Sequence, residues 1–393
     1  MKKKSQRHLS PKSQIDLGSF YTAKHLVDIS FDIIKRHIEN ISDFSLIDTS
    51  CGYGSFLEKR DFKRIIGADV DERAINEAKK EAKEAELFIS NSLKNISRKN
   101  YNLCETQKLL IIGNPPYNDT TSIIRQNIKD KSVTNEVDID VKTRDLGISF
   151  LLSYSKLKAD YICVLHPLSY LIKKSNFALL KNFAKNYKLK DSLIVSSHEF
   201  SDTSRSMAFP ILIAFYKRDK NGMDYDYIKN YEFRVKDDGS FRLSDFDTIA
   251  NYVQKYPNRK KISKNDKPVA KFYTLRDINA LRRSKTFIEN DTANTVYVKK
   301  EQLPYYCYID IFKQYCDKMP YFIGNCDVII DNDEFLKTRE CFIYESMQTN
   351  SILKNKSNFR EVKEVKDAKL KIETYFKTLL TSKLGEKYAR NFN

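Results

Sequence analysis

The chain has 393 residues, enough for two or three domains and a sizeable core. Hydrophobic residues make up 41%, and Tyr and Phe number 24 each, a globular balance that excludes a fibrous or low-complexity chain. Formal net charge is +17, from 69 basic and 52 acidic residues, which points to a polyanionic partner and equally to a Lys-rich genome. No apolar run approaches the length of a membrane span, and no secretory segment follows the start. Seven scattered cysteines without a C-x-x-C pair fit a reducing cytoplasm and argue against disulfides and structural zinc.

Lys2, Lys3, Lys4, Arg7 and Lys12 form a basic arm over residues 1–16, suited to phosphate contact. Gly18-Ser19-Phe20-Tyr21-Thr22 leads into an amphipathic helix over residues 23–38. Residues 45–57 then read as strand, glycine turn and helix, with small side chains at Ser50, Gly52 and Gly54 that let a ligand approach the backbone. The third glycine of a dinucleotide fingerprint is missing, and Asp48 ahead of the turn suits an amine better than a pyrophosphate. A second strand ends at Asp69, placed to accept both hydroxyls of a ribose, with Asp71 and Glu72 opening a helix to about residue 86. Leu87-Phe88-Ile89 is a third strand, and Asn91 after it is placed to meet an adenine amino group.

Leu109-Leu110-Ile111-Ile112-Gly113 reads as a buried parallel strand, and Asn114-Pro115-Pro116-Tyr117 follows at its carboxyl end. Open α/β sheets keep their ligands at that edge. The Asn114 side chain and the Pro115 carbonyl can accept hydrogens from a planar amine, the prolines hold those acceptors still, and Tyr117 offers a stacking face. Four short strands with helices between them predict a doubly wound, mostly parallel sheet.

In this order the motifs resemble those of the S-adenosylmethionine-dependent DNA adenine-N6 methyltransferases of the γ arrangement. Residues 18–22 resemble the family's first cofactor motif, residues 48–56 its methionine-binding motif, Asp69 its ribose-binding acid and residues 114–117 its catalytic motif. Arg144-Asp145-Leu146-Gly147-Ile148-Ser149-Phe150 looks like the motif closing the adenine pocket, with Gly147 where the family usually has an aromatic. Residues 159–167 resemble the fifth-strand motif, and residues 193–215 the final hairpin. Asn91 stands where an acid is usual.

The resemblance covers residues 17–218 and implies a class I methyltransferase, Rossmann-like α/β domain. It implies S-adenosyl-L-methionine as cofactor, held by Tyr21, Thr22, Asp48, Ser50, Cys51, Gly52, Gly54, Asp69, Val70, Asn91, Asn114 and Phe150. It also implies catalysis by Asn114, Pro115, Pro116 and Tyr117 on an adenine flipped from double-stranded DNA and clamped by Tyr117 and a second aromatic. Phe200 is preferred to Phe209 for that clamp because it precedes the apolar run. No covalent intermediate, catalytic cysteine or metal is called for. A cognate restriction endonuclease is the natural partner, although a solitary enzyme fits as well, as does either a monomer or a dimer. His166, between an apolar strand and a proline, reads as a structural residue more than a general base.

Residues 17–220 are read as the catalytic domain and residues 221–393 as an α+β target-recognition domain ending in an amphipathic helix within residues 357–390. Segment 251–300 has 13 basic and 4 acidic residues; Lys260, Lys261, Arg276, Arg282 and Arg283 are its candidate DNA contacts, with Arg276 and Arg283 sharing a face if helical. Six tyrosines over residues 297–321 read as core, and Glu334-Phe335-Leu336-Lys337 as a surface turn. Residues 118–143 read as a loop at the cleft mouth. RNA adenine or cytosine-N4 methylation, a release-factor-like glutamine methyltransferase and a non-catalytic DNA-binding subunit are the alternatives.

Overall fold

The computed structural model describes residues 22–58, 60–117, 136–200, 208–258, 268–354 and 364–392. Tyr21, Lys260, Lys261, the basic arm and most of the loop at residues 118–143 lie outside the described residues. The described residues divide into two compact units, residues 1–240 and 241–393.

The first unit is built on seven strands: β1 (Phe44–Asp48), β2 (Arg64–Asp69), β3 (Glu86–Ile89), β4 (Lys108–Gly113), β5 (Tyr161–Pro167), β6 (Tyr187–Ser196) and β7 (Pro210–Arg218). They lie in the order β3-β2-β1-β4-β5-β7-β6. The pairs β1–β2, β2–β3, β1–β4 and β4–β5 are parallel, while β7 runs antiparallel to both β5 and β6. This is the doubly wound, mostly parallel, Rossmann-like sheet expected. The winding reverses between β1 and β4, so the carboxyl ends of those two strands flank the crevice where such sheets bind ligands.

Leu109, Leu110, Ile111 and Ile112 of β4 are all fully buried, because a central parallel strand has layers packed on both faces. Helix α1 (Lys24–His37) buries Leu26, Val27, Phe31, Ile33 and Ile34, the stripe its spacing predicts. Its last turn is basic, and Arg36 and His37 both reach Asp191 of β6, at 3.0 and 2.9 Å. Arg234 binds the same carboxylate, and the main chain at Lys236 donates to Ile194 of β6. Residues beyond 220 therefore pack with the first unit, past the boundary expected from sequence.

Two connections differ from expectation. Among the described residues, the segment between β1 and β2 is a series of turns with no α-helix, since Gly52 (φ 52°) and Gly54 (φ 80°) hold left-handed conformations within it. A 3-10 turn at Arg98–Tyr101 stands between β3 and β4, anchored by the buried Arg98, whose guanidinium donates to five backbone carbonyls. Helix α2 (Glu72–Glu81) is capped by the Asp71 carboxylate, which accepts from the Arg73 amide at 2.8 Å, and it ends short of residue 86. Helix α3 (Leu146–Lys156) joins β4 to β5 and is capped by Asp145.

The second unit pairs β8 (Ala270–Tyr273) with β9 (Thr295–Val298) antiparallel, and carries helices α4 (Leu303–Gln314), α5 (Asn332–Thr349) and α6 (Ala368–Leu384). Its core is aromatic: the fully buried Tyr308 meets Phe335, Phe342, Tyr375 and Phe376 with ring centroids 5.0–5.8 Å apart. The tyrosines at 306 and 308 are core, as their low-charge setting predicts. The buried side chain of Asp310 accepts from Thr286, Ser346 and Asn350, so a polar group inside the unit keeps hydrogen-bond partners. Glu334 and Lys337 are not in a turn. They sit in the first turns of α5, whose N-cap Asp331 accepts from the Glu334 amide.

Candidate active site

The site is assembled from the carboxyl ends of β1, β2, β3 and β4. Asp48 closes β1 and is only 2% exposed, with Oδ1 accepting from the Ser50 amide at 3.1 Å. Loss of hydration on burial pushes its pKa up to about 8, offset in part by the Ser50 amide and reinforced by the nearby Asp69 charge. Gly113 closes β4 directly beside it, with φ at +150° and no room for a side chain.

Asp69 closes β2. Its Oδ2 accepts from the Gly52 amide at 2.8 Å and its Oδ1 from the Asp71 amide at 3.0 Å, so it fastens the glycine loop to the sheet. Burial raises its pKa against these amide bonds. Each carboxylate oxygen keeps a further lone pair for a ligand. Cys51 is buried beneath the loop, and its amide donates to Ala68 of β2 at 2.9 Å. Val70 and Ile89, 55% and 57% exposed, leave apolar surface at the carboxyl ends of β2 and β3. Asn91 is tied into local structure: Oδ1 accepts from the Leu93 amide and Nδ2 donates to the Glu136 carbonyl. Ser92 spans to β1 by donating to the Thr49 carbonyl at 2.7 Å.

Asn114 follows β4. Its Nδ2 donates to Thr22 Oγ1 at 3.2 Å, joining the segment before α1 to the turn after β4. Its Oδ1 is buried and has no hydrogen-bond partner among the described residues, and the same holds for Ser50 Oγ. Pro115 is buried, while Pro116 and Tyr117 are partly exposed. Tyr117 packs against the core cluster that lines the sheet, and burial holds its hydroxyl above the ordinary phenol range beside the Asn114 amide.

Phe150 lies one turn into α3 and is 7% exposed. Gly147, where an aromatic is usual in the family resembled, leaves a gap into which another ring reaches. A β-carbon there would lie 3.0 Å from Tyr117 Cβ and inside van der Waals contact of the Tyr170 hydroxyl. Tyr170, which follows β5 in a short helix (Ser169–Ile172), was not signalled by any motif. Only the missing side chain at 147 hints that something else fills the space.

Phe200 is corrected. It is 2% exposed and belongs to the core cluster with Leu26, Val27 and Phe31, so it presents no open face, whereas Phe209 beside that cluster is only partly buried. His166 is the structural residue expected: it is buried, bonded through Nε2 to the Tyr216 hydroxyl at 2.7 Å, and held neutral by burial, its pKa lowered to about 4.

In the second unit, Arg276 and Arg283 do not share a helical face, because the helix there is the single turn Ile278–Leu281 and both lie outside it. Asp277 ends the strand-side chain by capping that turn, accepting from the Ala280 amide at 2.8 Å. Arg282 is paired with Asp317 at 2.7 Å, and Arg276 lies over the Tyr273 ring.

No protein-family model matches the chain, and no curated protein matches it. Solved structures do align with it in part. A type I restriction-modification methyltransferase subunit from Streptococcus thermophilus aligns at 17% identity and TM-score 0.40, over 58% of this chain and 48% of its own. The match thus spans about half the length of that subunit. A putative class I S-adenosylmethionine-dependent methyltransferase from Listeria monocytogenes aligns at 14% identity and TM-score 0.37, over 59% and 74%. The N-methyltransferase NodS from Bradyrhizobium japonicum, in complex with S-adenosyl-L-homocysteine, aligns at 12% identity and TM-score 0.29, over 49% and 86%. At these scores the likenesses decide nothing about substrate, and the functional reading rests on the geometry of the site itself.

Proposed function

We propose that the protein is an S-adenosylmethionine-dependent methyltransferase that modifies the N6 amine of adenine in double-stranded DNA. The observation that carries the reading is Asn114 Oδ1, a buried acceptor with no donor among the described residues, at the switch point between β1 and β4. Leaving such an atom unpaired costs about 1–3 kcal/mol, and an amine hydrogen from a substrate would pair it.

The residues fit the cofactor. Asp48 suits its ammonium group, the glycine loop at Gly52 and Gly54 permits close approach, and Asp69 retains lone pairs for the ribose hydroxyls. The exposed Val70 and Ile89 offer apolar surface for the adenine ring, with Phe150 on α3 and Thr22 beside Asn114 completing the set. Asn91 Oδ1 keeps one lone pair beyond the Leu93 amide. When bound, S-adenosylmethionine supplies an electrophilic sulfonium methyl.

An exocyclic adenine amine is a weak nucleophile because its lone pair is delocalised into the ring. Asn114 Oδ1 and the Pro115 carbonyl accept its two hydrogens and favour the lone pair on nitrogen. Positioning and fixed dipoles then supply the acceleration. Tyr117 stacks on the target base after it leaves the duplex, and Phe209 is the better placed second ring now that Phe200 lies in the core. Arg276, Arg282 and Arg283 of the second unit supply phosphate contacts, and the enzyme serves either as the modification partner of a restriction endonuclease or alone.

The test is titration calorimetry with S-adenosylmethionine followed by transfer of a labelled methyl group to unmethylated genomic DNA. Wild-type protein binds the cofactor and labels DNA, Asn114→Ala binds but does not label, and Asp48→Asn binds poorly. Cofactor bound with no label in any substrate would favour a non-catalytic DNA-binding subunit instead.

A further inference from the structure

Around Gly147, three elements meet with almost no free space. The Tyr170 hydroxyl donates to Asp145 Oδ1. The same oxygen accepts from the Gly147 amide at 3.0 Å and the Ile148 amide at 3.4 Å, so one carboxylate oxygen joins Tyr170 to the start of α3. A β-carbon at 147 would fall 3.0 Å from Tyr170 Cε2 as well as 3.0 Å from Tyr117 Cβ, which places both tyrosines against the same bare stretch of backbone. Behind Tyr170, the His166 ring stacks on it with centroids 5.4 Å apart and planes 13° from parallel. His166 is itself fixed by the Tyr216 hydroxyl. Tyr170 is 2% exposed, so the stack is closed to solvent.

We propose that Tyr170 is a positioning residue, which fills the volume vacated at Gly147 and holds Tyr117 and the first turn of α3 in fixed relation. This rests on the functional reading above, in which Tyr117 stacks on the target base. It goes beyond it by assigning the missing aromatic of the α3 motif to a ring delivered by β5. Phe150 stands three residues after Gly147 on α3 and so faces the same side, which makes the α3 start common to the base side and the cofactor side of the site. A site held this way loses rate when its support loosens, even though no reacting atom is touched.

The test compares wild type, Tyr170→Phe, Tyr117→Ala and the double variant, with Gly147→Ala as a second probe of the same space. Three quantities are read: the single-turnover methyl-transfer rate, the cofactor Kd, and the 19F spectrum of protein carrying 3-fluorotyrosine at position 117 alone. Tyr170→Phe is expected to slow transfer by about tenfold or more with Kd within about twofold, and to broaden or split the position-117 resonance. The double variant is expected to be no slower than Tyr117→Ala, because the two residues act as one unit. Wild-type rate and an unchanged resonance in Tyr170→Phe would overturn the proposal, as would losses that multiply in the double variant. If wild type transfers nothing to nucleic acid, the functional reading fails, and the fluorine spectrum alone then decides whether Tyr170 orders Tyr117.

Discussion

Gly113 stands against Asp48: a β-carbon at 113 would lie 2.6 Å from Asp48 Oδ1 and 3.0 Å from its Cγ. The two residues end neighbouring parallel strands on either side of the switch point, so the close approach of β4 to the β1 carboxylate shapes the crevice. Gly113→Ala is expected to destabilise the protein by about 1–3 kcal/mol and to abolish cofactor binding, since the added methyl must displace the carboxylate. Denaturant unfolding and calorimetry check both. Unchanged cofactor affinity in that variant would remove Asp48 from the site.

The raised pKa of Asp48, about 8, sets two pH dependences. A folded-state pKa above the unfolded value means the folded protein holds a proton that the unfolded chain has released. Stability from this group is therefore complete below about pH 4 and declines through the window up to about pH 8, by about 1.4 kcal/mol per pH unit at most. Asp48→Asn flattens that slope in unfolding measurements across the window.

Binding a cationic ammonium favours the ionised carboxylate, so cofactor binding at pH 7 releases a proton from Asp48. Affinity then rises with pH up to about 8 and falls above it, where the cofactor's α-ammonium, with an ordinary pKa of about 8, loses its own proton. Calorimetry in buffers of different ionisation enthalpy measures the release, which Asp48→Asn abolishes.

Phe200 and Phe209 separate structure from recognition. Phe200→Ala removes a core ring and is expected to cost about 3–5 kcal/mol of stability. Phe209→Ala is expected to cost less stability and to lower the fluorescence gain of 2-aminopurine placed at the target base. The opposite pattern would return the clamp to Phe200.

In the second unit, Arg276→Ala and Arg283→Ala are each expected to reduce the slope of log affinity against log salt by about 1 for DNA. Arg282→Ala is expected to reduce it less, because its guanidinium is engaged by Asp317. Salt titrations by fluorescence anisotropy check the order.

The strands were legible because a buried parallel strand leaves a continuous apolar run, as at residues 109–112, and a punctuating residue at its carboxyl end. Asp48, Asp69 and Asn114 announce themselves at those ends, where polar residues break apolar runs. The connections were less legible. Two glycines hold left-handed turns where a helix was expected after β1, and Arg98 knots the link before β4 through backbone carbonyls that no pattern of side chains displays. Phe200 misled because an aromatic just outside an apolar run carries no mark of which way it packs. Tyr170 stayed hidden because its role depends on an absent side chain 23 residues away. The paired arginines failed for a local reason: Asp277 starts a helix after Arg276, and the helix ends before Arg283.

The most direct measurement is digestion of the methylated product to nucleosides after reaction of wild type and Asn114→Ala with labelled S-adenosylmethionine and DNA, RNA or protein in parallel. N6-methyladenine from DNA alone, lost by at least about a hundredfold in Asn114→Ala, is the predicted result. Label in cytosine, RNA or glutamine, or in DNA at equal yield with both proteins, would contradict the account.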